Sequence, residues 1–587
     1  MTLTLALEAL TRDEQLNEAW ERIQAGLRTR VAATQVAAPF IAARFASQPV
    51  VFVTASDKAA DVLAATLCDF VDPQTIAVFP AWETLPHERL SPSGDTVGAR
   101  MAVLRRLAHP HEAGEIKVLV TPVRAAVQPI VANLGDIAPL RVDVGDQTSI
   151  EGLAEGLVDL GFERVELVDR RGQFAVRGGI VDVFPPAYDH PVRLEFWGDE
   201  VEDIRLFSVS DQRSLGEPAT SLRATACKEL LLTDDVRKRA ATLARQHPEL
   251  GDILGKVAEG IAVEGMESLI PVLTDKRELL FDVLGSDWLV VEIEPERIAA
   301  RVAELVTTSD EFLEAAWHNA TVGNAMPVDL RQSGFVSYEH LSTSFPDMKW
   351  CQLSSLIGVD DLQPRLERVP EYHSDVESLC GDIRAWWAAG VRVVVVMAGV
   401  GSANRLVQAL AQHDVPARVV TEPSDPQRVV EVTTGHLDHG AFLVNGDLVV
   451  ITESDIFAAR DAAREPRSLP SKRRAVIDPL SLKPGDYVVH DQHGIGRYVE
   501  IVTKTFDGVT RDYMVLQYAS RKRGVPGDEL YVSTDQLDHV TRYVGGEAPA
   551  LNKIGGGEWA QTKSRARKAV RQIAGELIRL YAARMAS

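Results

Sequence analysis

A glycine-containing turn and a histidine pair are the places where this 587-residue chain could do chemistry. Ala398-Gly399-Val400-Gly401-Ser402-Ala403-Asn404 follows the apolar run VRVVVVM and precedes a helical pattern, and Glu422 closes the next strand pattern. In that order a strand, a helix N-terminus and an acid hold the pyrophosphate and ribose of a dinucleotide. Asn404 stands where the third glycine belongs, so a plain strand-to-helix turn competes with a cofactor site. His490-Asp491-Gln492-His493 could chelate a metal from a turn but has no third ligand nearby. No G-x-x-x-x-G-K-[ST] occurs: Gly255-Lys256 is followed by Val257 in a helical pattern, and the place of a first-strand phosphate loop reads GLRTRVAATQVAA. G-x-S-x-G is absent as well. These residues assign the chain no catalytic group, cofactor site or metal site, and leave one enzyme alternative, a nucleotide- or dinucleotide-dependent protein using the 398–404 turn.

Recognition is the other chemistry the sequence can offer. In PVRLEFWGDEVEDIRLFSV, alternation puts Val192, Leu194 and Phe196 on one face and Arg193, Glu195 and Trp197 on the other. An outward Arg and Trp are the composition of an interface centre, and Arg177, before Gly178-Gly179, could join them. Packing of Trp197 under a loop, with solvated arginines, is the competing reading. Farther on, GIGRYVEIVTKTFDGVTRDYMVLQY reads as two strands around Asp507-Gly508, and an edge strand there is open to strand addition by a partner. Near the end, Lys553, Lys563, Arg565, Arg567, Lys568, Arg571, Arg579 and Arg584 face only Glu558 and Glu576. That stretch is either a solvated helix face or a contact for phosphate or an acidic partner.

The elements that must position these residues form a multidomain α/β chain. PVVFVTAS, TIAVFP and IKVLVTP are strand patterns separated by helical ones, which predicts a largely parallel sheet over 1–133. Residues 134–222 read as an inserted α+β unit with a helix closing near Gly161 and a strand pair joined at Gly198-Asp199. The α/β pattern resumes over 223–345, so the two flanking stretches could form one lobe. Prolines and low periodicity mark a boundary near 346–366. A small α/β domain spans 361–458, a charged linker 459–480, and a compact all-strand unit 481–546, whose size suits a small barrel. Residues 547–587 carry Ala566, Val570, Ile573, Leu577 and Leu580 on one helix face with no cap, which predicts that the natural protein continues past Ser587.

Composition limits the partners. Lys and Arg total 62 against 84 Asp and Glu, a net charge of −22. Such a surface opposes wrapping of nucleic acid, so any contact with DNA must be local. Four distant cysteines without a C-x-x-C pair, an N-terminus without a basic region, and no apolar stretch near the roughly 20 residues of a membrane span predict a reducing, cytoplasmic location.

Three blocks carry a resemblance: AWETLPHERLSPSGDTVGARMAVLRRL; GQFAVRGGIVDVFPP with PVRLEFWGDEVEDIRLFSVSDQRSL; and LKPGDYVVHDQHGIGRYVEI with YASRKRGVPGDELYVSTDQL. Together they resemble, in order and over nearly the whole chain, the bacterial transcription-repair coupling factor family. The resemblance implies a UvrB-like module over 1–345, with a degenerate nucleotide-binding lobe and an inserted domain that docks on UvrA through Arg177, Arg193 and Trp197. It implies a Tudor- or SH3-like barrel pairing Ile501, Val502, Thr503, Lys504, Thr505 and Phe506 with the RNA polymerase β subunit, and a C-terminal relay helix leading to a translocase motor. Many members of that family have Phe at the position of Trp197, and they often have a large apolar residue at that of Lys504. ATP, magnesium and most of the contact with duplex DNA are implied only for that missing motor. This chain would then supply docking surfaces for transcription-coupled excision repair and no membrane contact.

Overall fold

The computed structural model describes residues 3–84, 91–209, 212–247, 250–322, 334–424 and 428–457, and toward the C-terminus 485, 487–490, 494–506, 509–519, 527, 529–533, 540–542 and 551. It divides into two compact units, Met1–Asp461 and Ala462–Ser587.

The first unit is organised around a six-stranded sheet in the order Thr29–Ala32, Lys349–Ser354, Leu289–Ile293, Val50–Thr54, Val118–Pro122, Ile76–Val78. Every neighbouring pair is parallel. Val50–Thr54 and Val118–Pro122 are buried at every position, as continuous apolar runs must be when helices cover both faces. One face packs Val51, Val53 and Leu119 against Met101 and Leu104. The other packs Val50, Phe52, Val118 and Val120 against Phe40, Leu67 and Phe70.

The stretch read as a boundary near 346–366 contains the strand Lys349–Ser354, second in this sheet. Its burial runs across both faces, with Trp350, Cys351 and Leu353 all enclosed, so no alternation marks it, and Pro346 just upstream gave the impression of a break.

Residues 163–218 carry a second sheet, ordered Ser214–Pro218, Glu200–Phe207, Val192–Trp197, Ile180–Val183, Gln173–Arg177, Glu163–Arg164. Its inner face, including Phe174, Val181, Leu194 and Ile204, shares a core with Leu153 and Leu157 of the helix Ile150–Asp159. The pair Leu140–Asp143 and Ser221–Ala224 forms the antiparallel stem through which the chain enters and leaves this region. The helix Gly94–Ala108 touches it directly: a Cβ on Gly98 would lie 2.1 Å from Cβ of Pro186, and Arg171 reaches Asp95 at 3.0 Å. Two residues past Gly98, Arg100 is fully buried against Glu229, Nε to Oε1 2.6 Å, and Trp82 Nε1 donates to the same oxygen at 2.8 Å.

The small α/β region has the sheet order Leu366–Arg368, Ala441–Leu443, Leu448–Thr452, Arg392–Met397, Val430–Thr434, Ala417–Val419. Val394, Val396 and Val450 join the same apolar cluster as Phe40 and Phe52 of the first sheet. Buried carboxylates stitch the two together. Asp69 Oδ2 accepts from the backbone N–H groups of His436 and Leu437 at 2.7 and 3.0 Å. Asp13 Oδ2 accepts from Arg365 N and Asn445 Nδ2, each at 3.0 Å.

The second unit holds a five-stranded antiparallel sheet ordered Glu529–Ser533, Val509–Gln517, Gly494–Phe506, Tyr487–His490, Val540–Arg542. Val488, Tyr498, Met514, Leu516, Tyr518 and Val532 form its core. Gly496 is required by close packing, because a Cβ there would come within 2.9 Å of the Tyr518 ring. The linker 459–480 and, apart from Leu551, the terminal helix read over 547–587 lie outside the described residues. Among the described residues no helix is long and apolar enough to cross a membrane.

Candidate interaction surfaces

On the second sheet the expected alternation is realised. Val192, Leu194 and Phe196 are buried, while Trp197 is 78% exposed. The turn Gly198-Asp199 that follows needs its positive φ, 64° at Gly198, which fits the tight return into Glu200–Phe207. Gly178-Gly179 is a hairpin turn between Gln173–Arg177 and Ile180–Val183, with Gly178 at φ 60°. Phe196 N donates to Gly179 O at 2.8 Å, which sets Trp197 at the same end of the sheet as that turn.

Arg177 and Arg193 are therefore two strands apart, and the strand between them carries the residue the sequence reading missed. Asp182 lies opposite Ala175 on one side and Arg193 on the other, with its side chain fully enclosed. Arg193 grips it with two bonds, Nε to Oδ1 at 2.7 Å and Nη2 to Oδ2 at 2.9 Å. That pairing raises the basicity of the guanidinium further. Nη1 reaches Gln212 O at 3.4 Å, and the Phe207 ring lies 4.6 Å beneath. The Arg193 side chain is thus only 17% exposed, against the outward Arg expected from alternation. Arg177 Nη2 also bonds Asp182, but its side chain is 47% exposed. The signal for Asp182 was a lone acid flanked by apolar residues in IVDVF; its partners became visible only with the strand order.

The second surface is an edge. Gly494–Phe506 pairs with Val509–Gln517 through Phe506, but with Tyr487–His490 only from Gly494 to Arg497. From Glu500 to Phe506 no described strand pairs the other edge of the backbone. Edge N–H and C=O groups that no described strand pairs are what strand addition uses. The stretch Ile501, Val502, Thr503, Lys504, Thr505 and Phe506 lies within it. A bulge between Tyr498 and Glu500 marks where the hairpin leaves the sheet.

The two places considered for nucleotides are built differently. Where a phosphate loop would follow the first strand, Ala33 to Ala37 link Thr29–Ala32 to the helix Ala38–Phe45 without glycine or lysine. Beside them the Arg30 guanidinium is committed to Glu296, Asp361 and Ser354. These residues do not fit a triphosphate held by an amide cradle and a lysine. Nearby, burial lifts the Glu292 carboxyl above its ordinary 4.5, while Tyr338 and Gln352 donate to it. At the 398–404 turn, Glu453 Oε2 accepts from Ala398 N at 2.8 Å and Ser402 Oγ at 3.1 Å. A carboxylate already sits against the donors that a pyrophosphate would need. His490 is buried in the second unit's sheet, and Asp491 to His493 lie outside the described residues.

The two surface-bearing regions match family models: residues 140–222 match the UvrB interaction domain, and residues 482–544 match the CarD-like/TRCF RID domain. Over 567 residues the chain is 46% identical to the transcription-repair-coupling factor of Mycobacterium tuberculosis, covering 92% of this chain and 46% of that protein. The chain is homologous to the transcription-repair coupling factors. The factor of Myxococcus xanthus is 31% identical over 590 residues, 92% of this chain and 47% of its own length. That of Bacillus subtilis is 26% identical over 569 residues, with the same two shares. The chain thus spans about half the length of the curated transcription-repair-coupling factors it matches.

Proposed function

We propose that this chain is the adaptor portion of a transcription-repair coupling factor, joining RNA polymerase to the excision-repair protein UvrA. In this reading 1–133 and 223–345 form a UvrB-like lobe and 134–222 the UvrA-docking domain, with Arg177, Arg193 and Trp197 at the contact. Residues 481–546 are a Tudor-like barrel whose strand Ile501–Phe506 is extended by the polymerase β subunit, and 547–587 begin a relay to the motor. ATP hydrolysis with magnesium, translocation on duplex DNA and release of a stalled polymerase belong to the half of the relatives that this chain does not span. The absence of a phosphate-loop lysine and glycines supports that division. A cytoplasmic location accords with four unpaired cysteines.

The observation carrying the proposal is Trp197, 78% exposed within the matched UvrB interaction domain. A large aromatic is left uncovered there at the cost of apolar hydration, and such residues carry most of the energy when they enter a partner's pocket. Calorimetry of the chain with UvrA tests it. Binding by the wild type and at least roughly 30-fold weaker binding by Trp197→Ala are expected from a hot-spot loss of about 2 kcal/mol. Equal affinity would remove Trp197 from the contact.

A further inference from the structure

We propose that Asp182 is a positioning residue for the UvrA contact and that it divides the labour of the two arginines. Arg193 is the seat, Arg177 the cation presented to the partner, and the partner's matching feature is a carboxylate beside an apolar pocket. This deepens the reading above and rests on it.

Two guanidiniums on one sheet face repel unless an anion lies between them. Asp182 is that anion, placed on the strand between theirs and fully enclosed. Arg193 spends both arms of its fork on it, a third group on Gln212, and its flat face on Phe207. It has little left to offer a partner. Arg177 makes one bond to Asp182, through Nη2, and remains half exposed. Among the described residues its Nε and Nη1 make no hydrogen bond, and they suit a carboxylate's two oxygens. The neighbouring residue across the hairpin is Ile180, and the turn that joins them bonds Phe196 at the base of Trp197. One end of the sheet thus presents a tethered cation, a partly buried aliphatic side chain and an uncovered indole. The loop side of the same face is closed by Val168, Ala175, Phe184 and Phe207, so the presented patch is confined to this end.

Asp182→Asn separates aim from charge. Losing a carboxylate makes the face more positive, so electrostatics alone would tighten binding to an acidic partner. Positioning requires the opposite. With the full chain and UvrA in calorimetry, Asp182→Asn is expected to bind about 10-fold more weakly, and Arg177→Gln comparably. The double variant should be within about threefold of Arg177→Gln alone, because both substitutions remove the same contact. Affinity in Arg177→Gln should also depend less on salt. If Asp182→Asn does not fold, the paired change Asp182→Val with Arg193→Leu replaces the buried ions by apolar groups, which folds tolerate. It should bind as weakly as Arg177→Gln. Affinity at or above the wild type in either folded Asp182 variant, with Trp197→Ala still weakened, overturns the positioning role and leaves the UvrA reading standing. Failure of the wild type to bind UvrA removes both.

Discussion

Arg193→Ala is expected to damage the fold far more than Trp197→Ala, although both were read from sequence as outward residues of one face. Truncating Arg193 leaves the Asp182 carboxylate, with no solvent exposure, holding only the single bond from half-exposed Arg177. Two charge-assisted bonds at 2.7 and 2.9 Å disappear together with the stacking on Phe207 at 4.6 Å. Breaking a buried pair from one side costs about 3–5 kcal/mol. For a unit the size of the inserted region, at about 4–8 °C per kcal/mol, that is a fall of at least roughly 12 °C in its melting transition. Trp197 is 78% exposed, and its removal should cost within about 0.5 kcal/mol. Scanning calorimetry of the two variants beside the wild type reads both numbers. A melting transition for Arg193→Ala within a few degrees of the wild type would show that Asp182 is not held as a buried anion, and the reasoning would fail.

Glu229→Ala should lower stability by about 3–5 kcal/mol by stranding the enclosed Arg100, whereas Arg100→Met with Glu229→Leu should recover most of it in urea denaturation. Gly98→Ala should cost about 1–3 kcal/mol, because its methyl group would meet Pro186, and protease sensitivity should rise at the inserted region. Glu292 is protonated more readily folded than unfolded. Wild-type stability should therefore fall relative to Glu292→Gln as pH rises from the ordinary 4.5 through the raised folded value, and denaturation between pH 4 and 8 checks the sign. In an antiparallel ladder successive N–H groups face opposite sides, so of Val502→Pro and Thr503→Pro one removes an edge donor and the other a bond to Val509–Gln517. Both should lose polymerase β binding in a pull-down, and only the second kind should melt earlier.

Periodicity made the local elements legible. The strand Val192–Trp197, its turn at Gly198 and the buried run Val50–Thr54 follow from alternation, glycine and β-branched content. The lack of a G-x-x-x-x-G-K-[ST] motif could be read directly, since such a motif is contiguous in sequence. What sequence withheld was long-range pairing. Lys349–Ser354 joins a sheet whose neighbouring strands begin at 29 and 289, and its enclosure on both faces removes the alternation that reveals half-buried strands. Arg100 meets Glu229, and Arg193 meets Asp182, only because strand order and helix docking bring them together. In each case a charged residue looks solvated in sequence until its counterion is located. Glu453 at the 398–404 turn belongs to the same class: an anion site was only the competing reading of that turn, and the carboxylate that meets its donors comes from the end of another strand.

The central claim is that one chain carries two separate docking surfaces. The most direct measurement is binding of the wild type, Trp197→Ala and Val502→Pro to UvrA and to the RNA polymerase β subunit in parallel. The account predicts that the wild type binds both, Trp197→Ala loses UvrA alone, and Val502→Pro loses the polymerase alone. Loss of both partners in either folded variant, or retention of both in each, would contradict it.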